Sequence, residues 1–260
     1  MHILLTNDDG VYAPGLLALA QSLRAIAEVT VVAPDRNWSA SGHVKTMHRP
    51  LRVTEITLQD GNPALSTDGA PSDCVALALL GLIEQKIDVV VSGINPFPNV
   101  GHDVTYSGTV TAAMEATLSG IAGVAVSLDS NRTHAKPLDY GPAARVAASI
   151  VRQINSAGLP NGTLLNVNVP YVPLTEMRGI AITRQGQRVY RDALVERQDP
   201  RGRKYYWIGG DIPTGVADEG TDFWALSEKM VSITPLMMNL TAADYLPVLE
   251  ELNLRVEPES

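Results

Sequence analysis

Two adjacent carboxylates, Asp8 and Asp9, stand between Asn7 and Gly10 directly after the first apolar run of the chain, Ile3 to Thr6. Neighbouring side chains within a strand point to opposite faces, so only a turn aims both at one point, and Gly10 permits such a turn. Held close, two carboxylates repel each other unless a proton or a cation intervenes, which makes a metal the economical explanation. An acidic cluster at the start of the helix that Pro14 opens is the alternative. Further oxygen donors come from Asp35-Arg36-Asn37-Trp38-Ser39-Ala40-Ser41-Gly42 and from Ser92-Gly93-Ile94-Asn95, each following another apolar run. Taken singly, Ser39 and Asn95 are equally explained as loop caps. Taken together, four oxygen donors with no His or Cys among them suit Mg²⁺ or Mn²⁺ better than Zn²⁺.

In Tyr106-Ser107-Gly108-Thr109-Val110-Thr111 a helix is expected to start. Its free amides and positive dipole end make an anion site, with Gly108 allowing close approach, although ordinary capping by Ser107 or Thr109 has the same signature. Such a cradle beside the hard-cation donors has room for a phosphate. His43 and His102 fall in the same loops and read as supporting residues.

These groups need a scaffold, and the apolar runs alternate with helical patterns in the manner of βαβ units around a mainly parallel, Rossmann-like sheet flanked by helices. Strands are expected at Ile3–Thr6, Val29–Ala33, Ile87–Ser92, Ile121–Leu128, Leu164–Val169 and Val231–Thr234, with a hairpin from Leu51–Leu58 through Asp60-Gly61-Asn62. Helices are expected from Pro14 to Ala27, Pro71 to Glu84, Ser107 onward, Tyr140 to Ser156, and near Ala242–Leu252. Pro34–Met47 and Gly93–Tyr106 are expected as long loops, both at carboxyl ends of strands, where ligands bind in open sheets. From Met177 to Phe223 Arg and Tyr become frequent and two short β-like runs appear near Val189 and Tyr205. This stretch reads as an extended β arm packing on a second subunit.

The 260 residues suffice for one large α/β domain with its own core. One cysteine, Cys74, excludes both a disulfide framework and a Cys-based zinc site, and with neither signal peptide nor membrane span visible the expected setting is the cytoplasm. A net charge of −8, from 28 acidic against 20 basic residues, repels polyanions and argues against a nucleic-acid coat or an anionic membrane surface.

The motifs Asn7-Asp8-Asp9-Gly10, Ala33-Pro34-Asp35-Arg36 with Ser39-Ala40-Ser41-Gly42, Ser92-Gly93-Ile94-Asn95 and Tyr106-Ser107-Gly108-Thr109 together resemble the SurE family, the survival protein E nucleotidases. Asp68-Gly69-Ala70-Pro71-Ser72-Asp73-Cys74-Val75, Asn166-Val167-Asn168-Val169-Pro170 and Ser232-Ile233-Thr234-Pro235-Leu236 extend the resemblance over nearly the whole chain. It implies a metal-dependent phosphoric monoester hydrolase, a 5′-nucleotidase acting on nucleoside 5′-monophosphates and on other phosphate esters. It also implies metal ligands at Asp8, Asp9, Ser39 and Asn95, catalytic contributions from Asp8, Asn99 and Ser107, and phosphate contacts at Asn99, Ser107, Gly108 and Thr109, with Ser41 and Gly42 beside them. A homodimer or homotetramer exchanging the carboxyl-terminal part, about residues 177–260, is implied as well. Two positions depart from the family pattern: Phe97, between Pro96 and Pro98, replaces a usual Gly, and Asn239 replaces a common Asp.

Three other classes compete. A signalling receiver domain also has paired acids after its first strand, but Asp60 is poorly placed as its acceptor. A nicotinamide or nucleotide binder lacks its fingerprint here, since neither G-x-G-x-x-G after the first strand nor G-x-x-x-x-G-K-[ST] occurs. A metal-stabilised, non-catalytic oligomer is the third.

Overall fold

The computed structural model describes residues 1–130, 137–190, 192–210 and 214–255. Of the expected arm and closing segment, residues 191, 211–213 and 256–260 lie outside the described residues. A nine-stranded sheet forms the centre, in the order β3-β4-β2-β1-β5-β6-β7-β13-β8. Its parallel heart consists of β4 (Pro63–Thr67), β2 (Glu28–Pro34), β1 (His2–Thr6), β5 (Val89–Asn95), β6 (Ala122–Asp129) and β7 (Thr163–Pro170). β3 (Val53–Thr57) pairs antiparallel with β4 as the expected hairpin, and β13 (Val231–Met237) runs antiparallel to β7.

The inner strands read as continuous apolar runs because both faces are covered. On one face α1 (Pro14–Arg24) and α4 (Gly141–Ala157) bury Leu16, Leu19, Leu23, Ala144, Ala147 and Val151 against Ile3, Leu5, Val91 and Val126. On the other, α2 (Pro71–Leu77) and α3 (Gly108–Leu118) pack Cys74, Val75, Ala112 and Ala116 against Leu4, Val32 and Val90. Strand order reverses between β1 and β5, and such a switch point opens a crevice at the carboxyl ends of the strands.

Four expectations need correction. The helix expected to reach Glu84 leaves α geometry after Leu77 and passes through a π-helical turn, Ala78–Leu82, in which Gly81 takes φ +117°. β5 continues through Asn95, so Asn95 ends the strand instead of following it in a turn. The loop expected from Gly93 to Tyr106 includes a 3₁₀ turn, Gly101–Thr105. Part of the expected arm belongs to the main sheet: β8 (Ile180–Ile182) pairs with β13 at its edge. The rest of that region makes two small ribbons, β9 (Arg188–Val189) with β12 (Thr214–Gly215) and β10 (Asp192–Gln198) with β11 (Lys204–Gly210). Then α5 (Asp222–Ser227) leads into β13, and the chain closes with a 3₁₀ turn and α6 (Leu246–Glu251).

Candidate active site

The turn after β1 is built by its own sequence. Asn7 Nδ2 donates to the Gly10 carbonyl at 2.9 Å, and Gly10 takes φ +104°, a conformation that disfavours any side chain. α1 begins only at Pro14, is capped by Ala13, and has no acidic residue in its first turn. The paired carboxylates therefore do not serve as a helix start.

Asp8 lies at the floor of a cleft of about 470 Å³ that Ser39, Asn95, Asn99 and Ser107 also line. It is 3% exposed, and its Oδ1 accepts from the Thr109 hydroxyl at 2.5 Å. Gly108 makes this approach possible, because a Cβ there would lie 2.7 Å from Asp8 Cβ. The second loop is strapped across the same corner: Trp38 N donates to the Asp8 carbonyl at 2.7 Å, and Gly42 N donates to the Tyr106 carbonyl at 3.0 Å. Asn95 donates its amide to the Phe97 carbonyl at 2.6 Å, which leaves its own carbonyl oxygen for another partner. Phe97, the departure from the family pattern, thus orients Asn95 through its backbone while its side chain lines the cleft. Asn239, the other departure, accepts from Thr241 N at 3.0 Å in an exposed turn.

Asn99 is clamped by polar groups of the neighbouring strands. Its amide N donates to Asn168 Oδ1 (2.8 Å), its carbonyl accepts from Asn166 Nδ2 (2.8 Å) and Asn168 Nδ2 (3.0 Å), and its Nδ2 donates to Ser127 Oγ (2.8 Å). Ser107 caps α3, its hydroxyl accepting from Val110 N at 3.1 Å, so the capping alternative holds for it while it also lines the cleft. The structure thus brings Asp8, Ser39, Asn95, Asn99 and Ser107 to one cavity. Asp9, Ser41, Gly42, Gly108 and Thr109 surround it without lining it: Thr109 is fully buried with its hydroxyl on Asp8, and Asn37 Nδ2 sits 3.4 Å from Asp9 Oδ1. His43 bonds Glu115 at 2.9 Å beside Lys45, as a supporting residue would. Asp60 pairs with Arg24 at 2.6 Å in the hairpin turn before β4, at the amino end of that strand and away from the cleft, which removes the receiver-domain alternative.

Burial pushes the Asp8 carboxyl up despite the Thr109 hydroxyl, and burial together with the Asp8 charge pushes Asp9 up to about 7. Among the described residues neither forms an ion pair with a Lys, Arg or His, and no three His, Cys, Asp or Glu side chains cluster as metal ligands. Two mutually repelling carboxylates, Asp8 buried and Asp9 half-buried, without a basic partner among the described residues and beside a free amide oxygen and a hydroxyl, fit a hard divalent cation and not a thiolate- or imidazole-seeking one. The sequence reading missed Asp103, Tyr106, Asp129, Ser130 and Arg188, which complete the lining. Their only signal was position, since Tyr106 precedes the α3 cap, Asp129 ends β6 and Ser130 follows it.

Fold and site together define a class: α/β proteins with an oxygen-lined cleft beside a helix amino terminus at the switch point of a mainly parallel sheet. The model of the family described as survival protein SurE matches residues 3–192. The chain is 52% identical over 246 residues to the 5′-nucleotidase SurE of Herpetosiphon aurantiacus, covering 94% of this chain and 95% of that one. It is 50% identical over 254 residues to the 5′-nucleotidase SurE of Geobacter sulfurreducens, covering 98% and 94%. The crystal structure of the SurE protein from Aquifex aeolicus superimposes with a TM-score of 0.82 at 38% identity, over 97% of this chain and 100% of that one. The chain belongs to the SurE family.

Proposed function

We propose that this protein is a divalent-metal-dependent phosphatase that hydrolyses nucleoside 5′-monophosphates to nucleoside and phosphate, with other phosphate esters as further substrates. The observation that carries the proposal is Asp8, which lines the same cleft as Ser107 at the amino terminus of α3, has Asp9 beside it in the chain, and has no basic partner among the described residues. The relatives named 5′-nucleotidase support the reaction type.

Asp8, Asp9, Ser39 and Asn95 would hold the cation, Mg²⁺ or Mn²⁺ by the chemistry of these donors. When bound, such a cation polarises a phosphoryl oxygen and acidifies water. Thr109 fixes Asp8 by holding one oxygen, which leaves the other to orient the attacking water. Ser107, which lines the cleft at the amino terminus of α3, would donate to the phosphoryl group, and Asn99, anchored on three sides, would supply a preset dipole where charge develops. The structural restraint on Asn99 matters because a donor already in place needs no reorganisation during the reaction.

The proposal includes a homodimer or homotetramer in which the segment of about 177–260 packs on or exchanges with another copy. The β10–β11 ribbon supports it: among the described residues each strand pairs only with the other, and Leu194, Trp207 and Ile208 are 72%, 64% and 86% exposed. Among the described residues no helix is long and apolar enough to cross a membrane, and the buried, unpaired Cys74 suits a reducing cytoplasm.

The test is phosphate release from a panel of nucleoside monophosphates and simple esters with Mg²⁺, Mn²⁺ or Zn²⁺, with and without chelator. Release is expected to require metal, and Asp8→Asn is expected to lose more than the roughly 10–100-fold that loss of an outer partner costs. Full activity of that variant, or activity indifferent to chelation, overturns the assignment.

A further inference from the structure

Beyond the metal and phosphoryl groups, the cleft has a second wall that the proposed chemistry leaves unused. Among the described residues, Arg188, on β9, is the single basic residue lining the cleft. Its side chain is 16% exposed; Nη2 pairs with Asp103 Oδ2 at 3.0 Å, and the guanidinium lies 5.6 Å from the centre of the Phe223 ring. Its buried Nε has no hydrogen-bond partner in the protein. A ligand in the cleft cannot reach that enclosed atom, but the pair with Asp103 uses only part of the guanidinium's five donors, and the side chain still lines the cleft.

Its position says what arrives. Asp8 follows β1, whereas Asp129, whose carboxyl burial pushes up against the pull of the Arg188 charge, ends β6, and β5 lies between them. Two strand steps put the Arg188–Asp129 wall about 10 Å from Asp8, the reach of a nucleoside beyond its phosphate and farther than the phosphoryl oxygens extend. Among the described residues, Asp103 and Asp129 face a single guanidinium there, a balance that disfavours a second phosphate. A neutral group rich in hydroxyls and ring nitrogens, donating to carboxylates and accepting from the guanidinium, suits it. Tyr106, 60% exposed at the same cleft, offers an aromatic face to a ring.

We propose that Arg188 is a specificity-determining residue that holds the nucleoside portion of the substrate through its free guanidinium donors, with Asp129 taking hydroxyls on the same wall. The placement of the phosphoryl group in this account rests on the function proposed above. Loss of a contact made equally in ground and transition states raises KM without lowering kcat, and a charge-assisted hydrogen bond carries about tenfold or more in affinity.

Arg188→Met and Arg188→Lys are compared with the wild type, the lysine variant keeping a cation beside Asp103 should the other fail to fold. Adenosine binding is measured calorimetrically in the presence of chelator, which needs neither metal nor turnover. KM and kcat are measured for AMP and for glycerol phosphate, whose short leaving group stops before this wall. The expected result is weaker adenosine binding and a higher KM for AMP, by about tenfold, with kcat for AMP and both constants for glycerol phosphate unchanged. Unaltered adenosine binding, or an equal loss on both esters, overturns the assignment of Arg188. If the wild type hydrolyses neither ester with any metal, the hydrolase reading fails, while adenosine binding still decides for or against Arg188.

Discussion

At the level of single residues, the site depends on how Asp8 is held. Its carboxylate is aimed by one short hydrogen bond from Thr109, whose side chain is fully buried. Thr109→Val preserves shape and removes that bond, so the affinity for Mn²⁺ is expected to fall by roughly 10–100-fold, as when other outer partners of metal ligands are lost. Metal titration of the folded variant checks it. Asp9 makes a second prediction. Its carboxyl, raised to about 7 against an ordinary 3.8, stays protonated in the folded, metal-free protein at pH values where the unfolded chain is already ionised. Its contribution to stability is therefore complete below about pH 4 and lost as pH rises through about 7. Asp9→Asn, which never ionises, is expected to raise the melting temperature of metal-free protein more at about pH 8 than at about pH 4, and an equal gain at both refutes this. Asp8, Ser39, Asn95 and Ser107 were legible because each sits in a polar turn or strand end after an apolar run. Arg188 was not, because nothing local to its stretch of sequence says that it folds back over a cleft built from residues 8–130.

Among the elements, α3 and the β1 turn are fitted to each other at Gly108. A methyl at Gly108 would stand 2.7 Å from Asp8 Cβ, so one of the two must shift. Gly108→Ala is expected to cost about 1–3 kcal/mol of stability, as overpacking does, and to lose metal-dependent activity further than that destabilisation explains; denaturant unfolding beside phosphate release tests both. The inner strands were readable because burial on both faces leaves continuous apolar runs. The sheet's far edge was not: β8 has three residues of which only Ala181 is buried, so its pairing with β13 depends on contacts some fifty positions away in the chain. β7 hides a different feature, for Asn166 and Asn168 are polar residues inside a buried strand whose purpose is visible only where they grip Asn99.

For the molecule as a whole, the exposed apolar ribbon of β10 and β11 bears on assembly. Ile208 and Trp207 lie on alternating sides of β11 and are 86% and 64% exposed, so both faces of the ribbon present apolar surface. A double substitution, Trp207→Glu with Ile208→Glu, is expected to reduce the mass observed by light scattering from a dimer or tetramer to a monomer. A monomeric wild type, or an unchanged mass in the variant, ends the assembly proposal. The second loop matters at this scale too, because Trp38 and Gly42 stitch it to the β1 turn and to the segment before α3. Donors from three separate crossovers are thereby lashed together by main-chain bonds that involve no ion. Cation capture then resembles a key entering a finished lock: the amide protons of Trp38 and Gly42 should exchange slowly with deuterium even after chelation, and loading should bring little change in heat capacity.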